Sequence, residues 1–158
     1  MQTRLVILDR DGTINHDRDD YIKSAAEWLP LPGALEAIAR LTHAGWHVVV
    51  TSNQSGLGRG LFDVATLNAM HAKMHKLLSA AGGRIDAIFY CPHAPDEGCG
   101  CRKPWPGLFA QIAERYGVAM KGVPVAQGAM PTRRMRRFSA SSIAAWCIQT
   151  VSSSLEAL

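Results

Sequence analysis

The chain contains no run of eighteen or more apolar residues, which excludes a membrane-spanning helix. A signal-peptide core is missing too: the apolar stretch after Met1-Gln2-Thr3-Arg4 is only Leu5-Val6-Ile7-Leu8, and Asp9 follows at once. These absences predict a cytoplasmic protein with no membrane partner. Charged residues are few, at 19%, against 47% apolar, so the chain does not fall in the disordered class. Its 158 residues are the length of one domain with a sizeable core. Internal repeats and long linkers are also lacking.

Acids are scarce late in the chain. No Asp follows Asp96, and the only later acids are Glu114 and Glu156. The net charge of +4 therefore arises after residue 103, largely from Arg133, Arg134, Arg136 and Arg137. No aromatic residues interleave with that cluster, so it reads as a solvated basic tail and a nucleic-acid partner is not expected. From about Ala126 the composition shifts to clustered Arg and then Ser and Ala, with Ser139–Trp146 a weak helical candidate. We expect a domain over 1–126 and a divergent segment over 127–158, a truncated or aberrant C-terminal part.

The pattern of elements is regular up to that point. Arg4–Leu8 and Trp46–Thr51, which contains Val48-Val49-Val50, read as buried strands. Ile85–Tyr90 and Val123–Ala126 complete four. Helices are expected from Pro32-Gly33 to Gly45, from Val64 to Ala81 and from Pro106-Gly107 to Tyr116, with Gly residues stopping or opening them. Residues 12–31 and Ser52–Gly60 read as polar loops, and His71 and His75 as ordinary helix-surface residues. Strands alternating with helices predict an α/β fold with a parallel sheet. In such sheets chemistry gathers at the carboxyl ends of strands, here marked by Asp9, Ser52 and Cys91.

Two carboxylates, Asp9 and Asp11, sit just past the first strand and can reach one centre. One can attack phosphorus while the other moves a proton to and from the ester oxygen and water. A divalent ion is needed because carboxylates and phosphate repel, and Mg²⁺ suits such an oxygen-only site. Ser52 offers a hydroxyl for a phosphoryl group, and Lys103 a cation to neutralise it. A second set, Cys91-Pro92-His93 and Cys99-Gly100-Cys101, supplies three thiolates and an imidazole. That is a closed tetrahedral set for a structural Zn²⁺, which would staple the loop and aim Arg102 and Lys103 at the site. Cys147 lies outside this set and reads as an incidental thiol.

The order Asp9-Arg10-Asp11-Gly12-Thr13, Ser52, Lys103 resembles the haloacid dehalogenase superfamily of phosphatases. Asp9–Asn15 (DRDGTIN), Ser52–Gly60 (SNQSGLGRG), Cys91–His93 (CPH) and Cys99–Gly107 (CGCRKPWPG) are similar, over residues 4–126, to the D-glycero-D-manno-heptose 1,7-bisphosphate 7-phosphatase family within the histidinol-phosphatase-like subfamily. The resemblance implies a Rossmann-like parallel sheet with helices on both faces, a minimal cap and a zinc-stapled loop. It implies an Mg²⁺-dependent enzyme that removes the 7-phosphate of a small-molecule sugar bisphosphate through an aspartyl-phosphate, in ADP-heptose supply for the lipopolysaccharide core; a monomer is expected. Asp9 would be the nucleophile and Asp11 the acid/base, both binding Mg²⁺. Ser52 would hold the phosphoryl group and Lys103 stabilise it. Asn53, Gln54, Arg59 and Arg102 would contact substrate, and Cys91, His93, Cys99 and Cys101 would bind Zn²⁺.

The family has Gly-Asp and a further Asp after the fourth strand; here Val123–Ala126 is followed by Gln127-Gly128-Ala129-Met130. That departure implies a lost Mg²⁺ ligand and reduced turnover. Histidinol-phosphate phosphatase is the nearest alternative by motif. A homologue that binds sugar phosphate with little hydrolysis is the alternative that the missing Asp favours.

Overall fold

The computed structural model describes residues 3–127. Within them the chain runs β1 (Leu5–Asp9), α1 (Ala34–His43), β2 (His47–Asn53), α2 (Ser55–Gly58), α3 (Val64–Ala80), β3 (Ala87–Cys91), α4 (Gly107–Tyr116) and β4 (Val125–Ala126). The four strands form one parallel sheet in the order β3-β2-β1-β4. Asp9 pairs with Thr51 and Asn53 with Cys91, so the carboxyl ends of β1, β2 and β3 lie side by side.

The strand residues alternate between two cores, as the pleat requires. Val6, Leu8, Val48 and Val50 pack with Ile38 of α1 and with Leu67, Met70, Met74 and Leu78 of α3. Leu5, Ile7 and Val49 face Ile112 of α4 on the opposite side. The unbroken valine run in β2 is what a strand covered on both faces needs. Asp63 caps α3 by accepting from the Thr66 N–H at 2.8 Å. Gly117, at φ 61°, ends α4 in the left-handed conformation. The α/β architecture expected from the sequence is therefore the one observed, with element ends moved by one or two residues.

Three local readings change. The segment between β1 and α1 is turn-rich but not merely a surface loop: Ile14, Ile22 and Trp28 are buried in the α3-side core. Lys73 of α3 pins it by donating through Nζ to the Ala25 and Trp28 carbonyls, both at 2.7 Å. Second, Ser52–Gly60 is not all loop, because β2 runs to Asn53 and Ser55–Gly58 coil into one helical turn. A Cβ on Gly58 would strike Ala94 N and come within 2.9 Å of Pro92 O, so this turn packs on the backbone after β3. Third, His71 is not a surface residue. It lies on the inward stripe of α3 with Leu67, Met70, Met74 and Leu78, and it is 8% exposed. The buried guanidinium of Arg10 gives it a polar partner there, which a surface reading omitted. His75 is exposed, as expected.

Among the described residues no helix is long and apolar enough to cross a membrane. The Arg133–Arg137 cluster, the Ser139–Trp146 segment and Cys147 lie outside the described residues.

Candidate active site

Asp9 is the last residue of β1, and its two carboxylate oxygens have different surroundings. Oδ1 accepts from the Arg10 backbone N–H at 2.8 Å and meets Lys103 Nζ at 3.0 Å. Among the described residues none donates to Oδ2. Burial raises the Asp9 carboxyl above its ordinary value, and the Lys103 ammonium partly offsets the shift. Lys103 also donates to the Thr51 carbonyl at 3.3 Å, so its ammonium bridges the ends of β1 and β2.

The lysine's backbone is held as firmly as its tip. Asn53 accepts from Lys103 N through Oδ1 at 2.9 Å and donates to Lys103 O through Nδ2 at 3.1 Å. Asn53, expected at the substrate, thus has both ends of its amide engaged with the loop that carries Lys103.

Asp11 is gripped by three side chains. Arg10 donates to Oδ1 from Nε at 3.0 Å and to Oδ2 from Nη2 at 3.3 Å. Asn15 Nδ2 donates to Oδ1, and Gln54 Nε2 to Oδ2, both at 2.9 Å. Gln54 Nε2 also donates to Ser52 Oγ at 2.6 Å. With Oγ serving as acceptor, the Ser52 hydroxyl proton is free to be given to a ligand. Ser52 and Gln54 are 1% and 4% exposed, so both belong to the floor of the site. Gly12, at φ 77°, lets the chain turn away behind Asp11.

Arg102 follows the cysteine loop, and its Nη1 is buried without a hydrogen-bond partner among the described residues. Such a donor is costly unless an acceptor arrives. Arg59 stands apart on the exposed end of α2, with its guanidinium 6.0 Å from the Tyr21 ring centre.

The second constellation assembles as its spacing suggests. The Sγ atoms of Cys91, Cys99 and Cys101 and a ring nitrogen of His93 lie within 4.8 Å of one another. Cys91 Sγ is 3.5 Å from Cys99 Sγ and 3.1 Å from Cys101 Sγ; His93 Nδ1 is 3.5 Å from Cys91 and 3.3 Å from Cys101. Ligands of a tetrahedral zinc stand roughly 3.5–3.8 Å apart, so the set fits the ion with little movement. Burial, then the neighbouring Cys101 thiol, pushes Cys91 up to about 12. Burial also raises Cys99, but the Arg102 backbone N–H and the adjacent sulfurs outweigh it and bring it down to about 6. Gly107 opens α4 against this loop, where a Cβ would strike Gly100 O and lie 2.9 Å from Cys101 Cα.

Reading by motif overlooked Arg10, Asn15 and His71. Arg10 lies between the two motif acids, and Asn15 ends the same segment. A 1% exposed arginine must be paired, so an Arg flanked by acids at a strand end was the available signal. His71 was signalled by its place on the apolar stripe of α3.

A parallel sheet with helices on both faces, carrying paired acids after its first strand, is the build of the haloacid dehalogenase-type phosphatases. The family described as polynucleotide kinase 3 phosphatase matches residues 4–126. A D-glycero-beta-D-manno-heptose-1,7-bisphosphate 7-phosphatase of Bordetella bronchiseptica is 54% identical over 147 residues, 93% of this chain and 81% of that protein. One from Pseudomonas aeruginosa is 56% identical over 123 residues, 78% of this chain and 69% of its own length. The crystal structure of the B. bronchiseptica D,D-heptose 1,7-bisphosphate phosphatase, complexed with magnesium and phosphate, superposes with a TM-score of 0.77 at 61% identity, covering 78% of this chain and 69% of that one. The chain belongs to the polynucleotide kinase 3 phosphatase family and, within it, to the heptose-bisphosphate 7-phosphatases.

Proposed function

We propose that the chain is a phosphatase that removes the 7-phosphate of D-glycero-D-manno-heptose 1,7-bisphosphate through an aspartyl-phosphate on Asp9. The observation that carries this reading is the asymmetry of the Asp9 carboxylate. Oδ1 is held by Lys103 and a backbone N–H, while Oδ2, with no donor among the described residues, is the attacking atom. Oδ2 forms a bond to phosphorus as the ester P–O bond breaks, and Asp11 gives its proton to the departing alkoxide. Water then attacks the phosphorus, Asp11 takes its proton, and the bond to Asp9 breaks. Ser52 donates its hydroxyl proton to the phosphoryl group, and Lys103 offsets the charge that develops there.

The oxygen-only donor set of Asp9 and Asp11 fits Mg²⁺, which typically needs one or two carboxylates besides substrate phosphate and water. Bound there, the ion would screen the repulsion between carboxylates and phosphate. The absence of any Asp after Asp96 bears on how tightly it is held. Cys91, His93, Cys99 and Cys101 would hold Zn²⁺ and so set the position of Arg102 and Lys103. Residues 1–126 would then form the catalytic unit, with 127–158 a divergent segment, in a cytoplasmic enzyme supplying ADP-heptose for lipopolysaccharide.

The family description mentions polynucleotides, but 4–127 carry 13 basic and 12 acidic residues, without the charge excess a phosphate backbone attracts. The sugar bisphosphate is favoured by the relatives' names and by Arg102. Its Nη1, unpartnered among the described residues, is a donor for the second anionic group, whereas the Asn53 and Gln54 amides are already engaged on Lys103 and Asp11.

The test is phosphate release from D-glycero-D-manno-heptose 1,7-bisphosphate with and without Mg²⁺, with histidinol phosphate as competitor and Asp9→Asn as control. Release that needs Mg²⁺ and Asp9 and prefers the heptose supports the proposal. Preference for histidinol phosphate would transfer the assignment to that activity. Binding without release would leave a sugar-phosphate-binding homologue.

A further inference from the structure

The strongest unused feature of the molecule is a buried cation and a buried imidazole behind the acid/base carboxylate. Arg10 is 1% exposed and carries donors in three directions. Nε and Nη2 fork onto Asp11, with Nη2 also 3.0 Å from Oδ1. Nη1 points the other way, to His71 Nε2 at 3.3 Å and Met70 Sδ at 3.8 Å. His71 and Met70 are neighbours on α3, an element that contributes nothing else to the chemistry. The His71 ring is also packed on Tyr90 of β3, with ring centres 6.3 Å apart.

For Nη1 to donate, His71 must be neutral and accept at Nε2, with its proton on Nδ1. The environment enforces this: burial first, then the Arg10 charge, lower His71 to about 4. Nη1 therefore has a permanent acceptor. Without it, a buried guanidinium hydrogen would lack a strong partner, and thioether sulfur is a weak substitute. The guanidinium is planar and rigid, so rotation to satisfy Nη1 elsewhere would turn the fork that faces Asp11. Asn15 and Gln54 hold the Asp11 end of this pair, and the His71 contact holds the Arg10 end.

We propose that His71 is a positioning residue for the phosphatase reaction, acting through Arg10 to hold the Asp11 carboxyl group where, in its protonated form, it can give its proton to the leaving oxygen. The proposal rests on the acid/base role given to Asp11 above. His71 itself touches neither substrate nor metal.

The leaving group discriminates this role from a purely structural one. An alkoxide leaving from a sugar phosphate needs the proton of Asp11; 4-nitrophenolate does not. Single-turnover release of the leaving group reads the first chemical step alone. For zinc- and magnesium-loaded full chain, His71→Leu should slow release from the sugar bisphosphate by about 10–100-fold, part of the range general acid catalysis spans. It should change 4-nitrophenol release by less than about threefold and leave KM nearly unchanged. His71→Gln, whose Oε1 can accept from Nη1, should recover most of the loss. Equal losses on both substrates, or a loss confined to KM, would overturn the proposal. Asp11→Asn separates the two layers. If it shows no leaving-group selectivity, the acid/base reading fails; if it does and His71→Leu does not, only the positioning role fails. Should neither substrate turn over, the Asp11 Cγ resonance in ¹³C-aspartate-labelled protein decides. It should broaden or shift in His71→Leu and stay in place in His71→Gln, and an unmoved resonance in His71→Leu would overturn the proposal.

Discussion

Asn53 and Lys103, fifty residues apart, close a two-way bond: the side-chain amide of one accepts from the backbone N–H and donates to the backbone carbonyl of the other. The pair works like one rung of a sheet, extending β2 onto the cysteine loop by a side chain. It places the Lys103 stem so that Nζ reaches Asp9 at 3.0 Å. The Lys103 cation is thus located from two sides, by Asn53 at its backbone and by the Cys/His cluster that ends two residues earlier.

Asn53→Ala removes both bonds at once and leaves two backbone groups of Lys103 to water. Turnover should fall by about 10–100-fold, with stability lowered by about 1–3 kcal/mol. Steady-state kinetics beside urea unfolding checks this. A larger change in KM than in kcat would show that Asn53 acts mainly on substrate.

Lys103→Met should cut phosphate release by about 10²–10³-fold, the scale of losing a preorganised charge at the phosphoryl group. It also exposes the linkage at Asp9. A carboxyl raised on folding stabilises most below its unfolded value, and that contribution is lost as pH rises through the folded value. Removing Lys103, the partner that lowers Asp9, makes this loss steeper. In Mg²⁺-free buffer the melting temperature of Lys103→Met should drop further below wild type at pH 7 than at pH 4. A constant gap across that range would contradict the assignment.

The cluster of Cys91, His93, Cys99 and Cys101 should bind one equivalent of zinc, measured by elemental analysis. Chelation or Cys99→Ser should lower the melting temperature and phosphate release together, because Lys103 rides on the same loop. Full activity in zinc-free protein would separate the loop from catalysis.

Gly58→Ala forces a methyl group onto the backbone of Ala94 and Pro92, atoms that cannot rotate away. Destabilisation of about 1–3 kcal/mol with weaker zinc retention is expected, the usual cost of overpacking. Retained zinc with unchanged unfolding would mean that α2 shifts freely.

His71 should impose an acid limb on stability. Its folded value is depressed to about 4 from an ordinary 6.5, so its contribution is complete above pH 6.5 and is lost as pH falls toward 4. The loss can reach about 3 kcal/mol. His71→Gln should flatten unfolding free energy over this window; an unchanged slope would place the titration in other groups.

The elements and their order were legible because each depends on local pattern. The Val48–Val50 run, the glycine punctuation and the apolar spacing of α3 act over a few residues. The same holds for Asp9 with Asp11 and for the cysteine–histidine quartet, whose members lie within eleven positions. The misreadings were also physical. His71 carried an inward spacing that its polarity masked, because a buried polar ring needs a partner no local pattern reveals. The turn at Ser55–Gly58 was hidden because its glycines serve close approaches rather than flexibility, Gly58 to the Ala94 and Pro92 backbone and Gly56 to the Phe62 ring.

Residue type and short spacing are enough to define the chemistry on offer: two acids after a strand, a hydroxyl, a lysine and a closed set of metal ligands. How those groups are held comes from the packed fold. Among the described residues it leaves Oδ2 of Asp9 without a donor, uses both ends of the Asn53 amide on Lys103, binds Gln54 to Asp11 and sets His71 against Arg10. Apart from the first, these relationships join residues 43 to 61 positions apart, and each depends on which way a side chain faces once the sheet and its helices have packed.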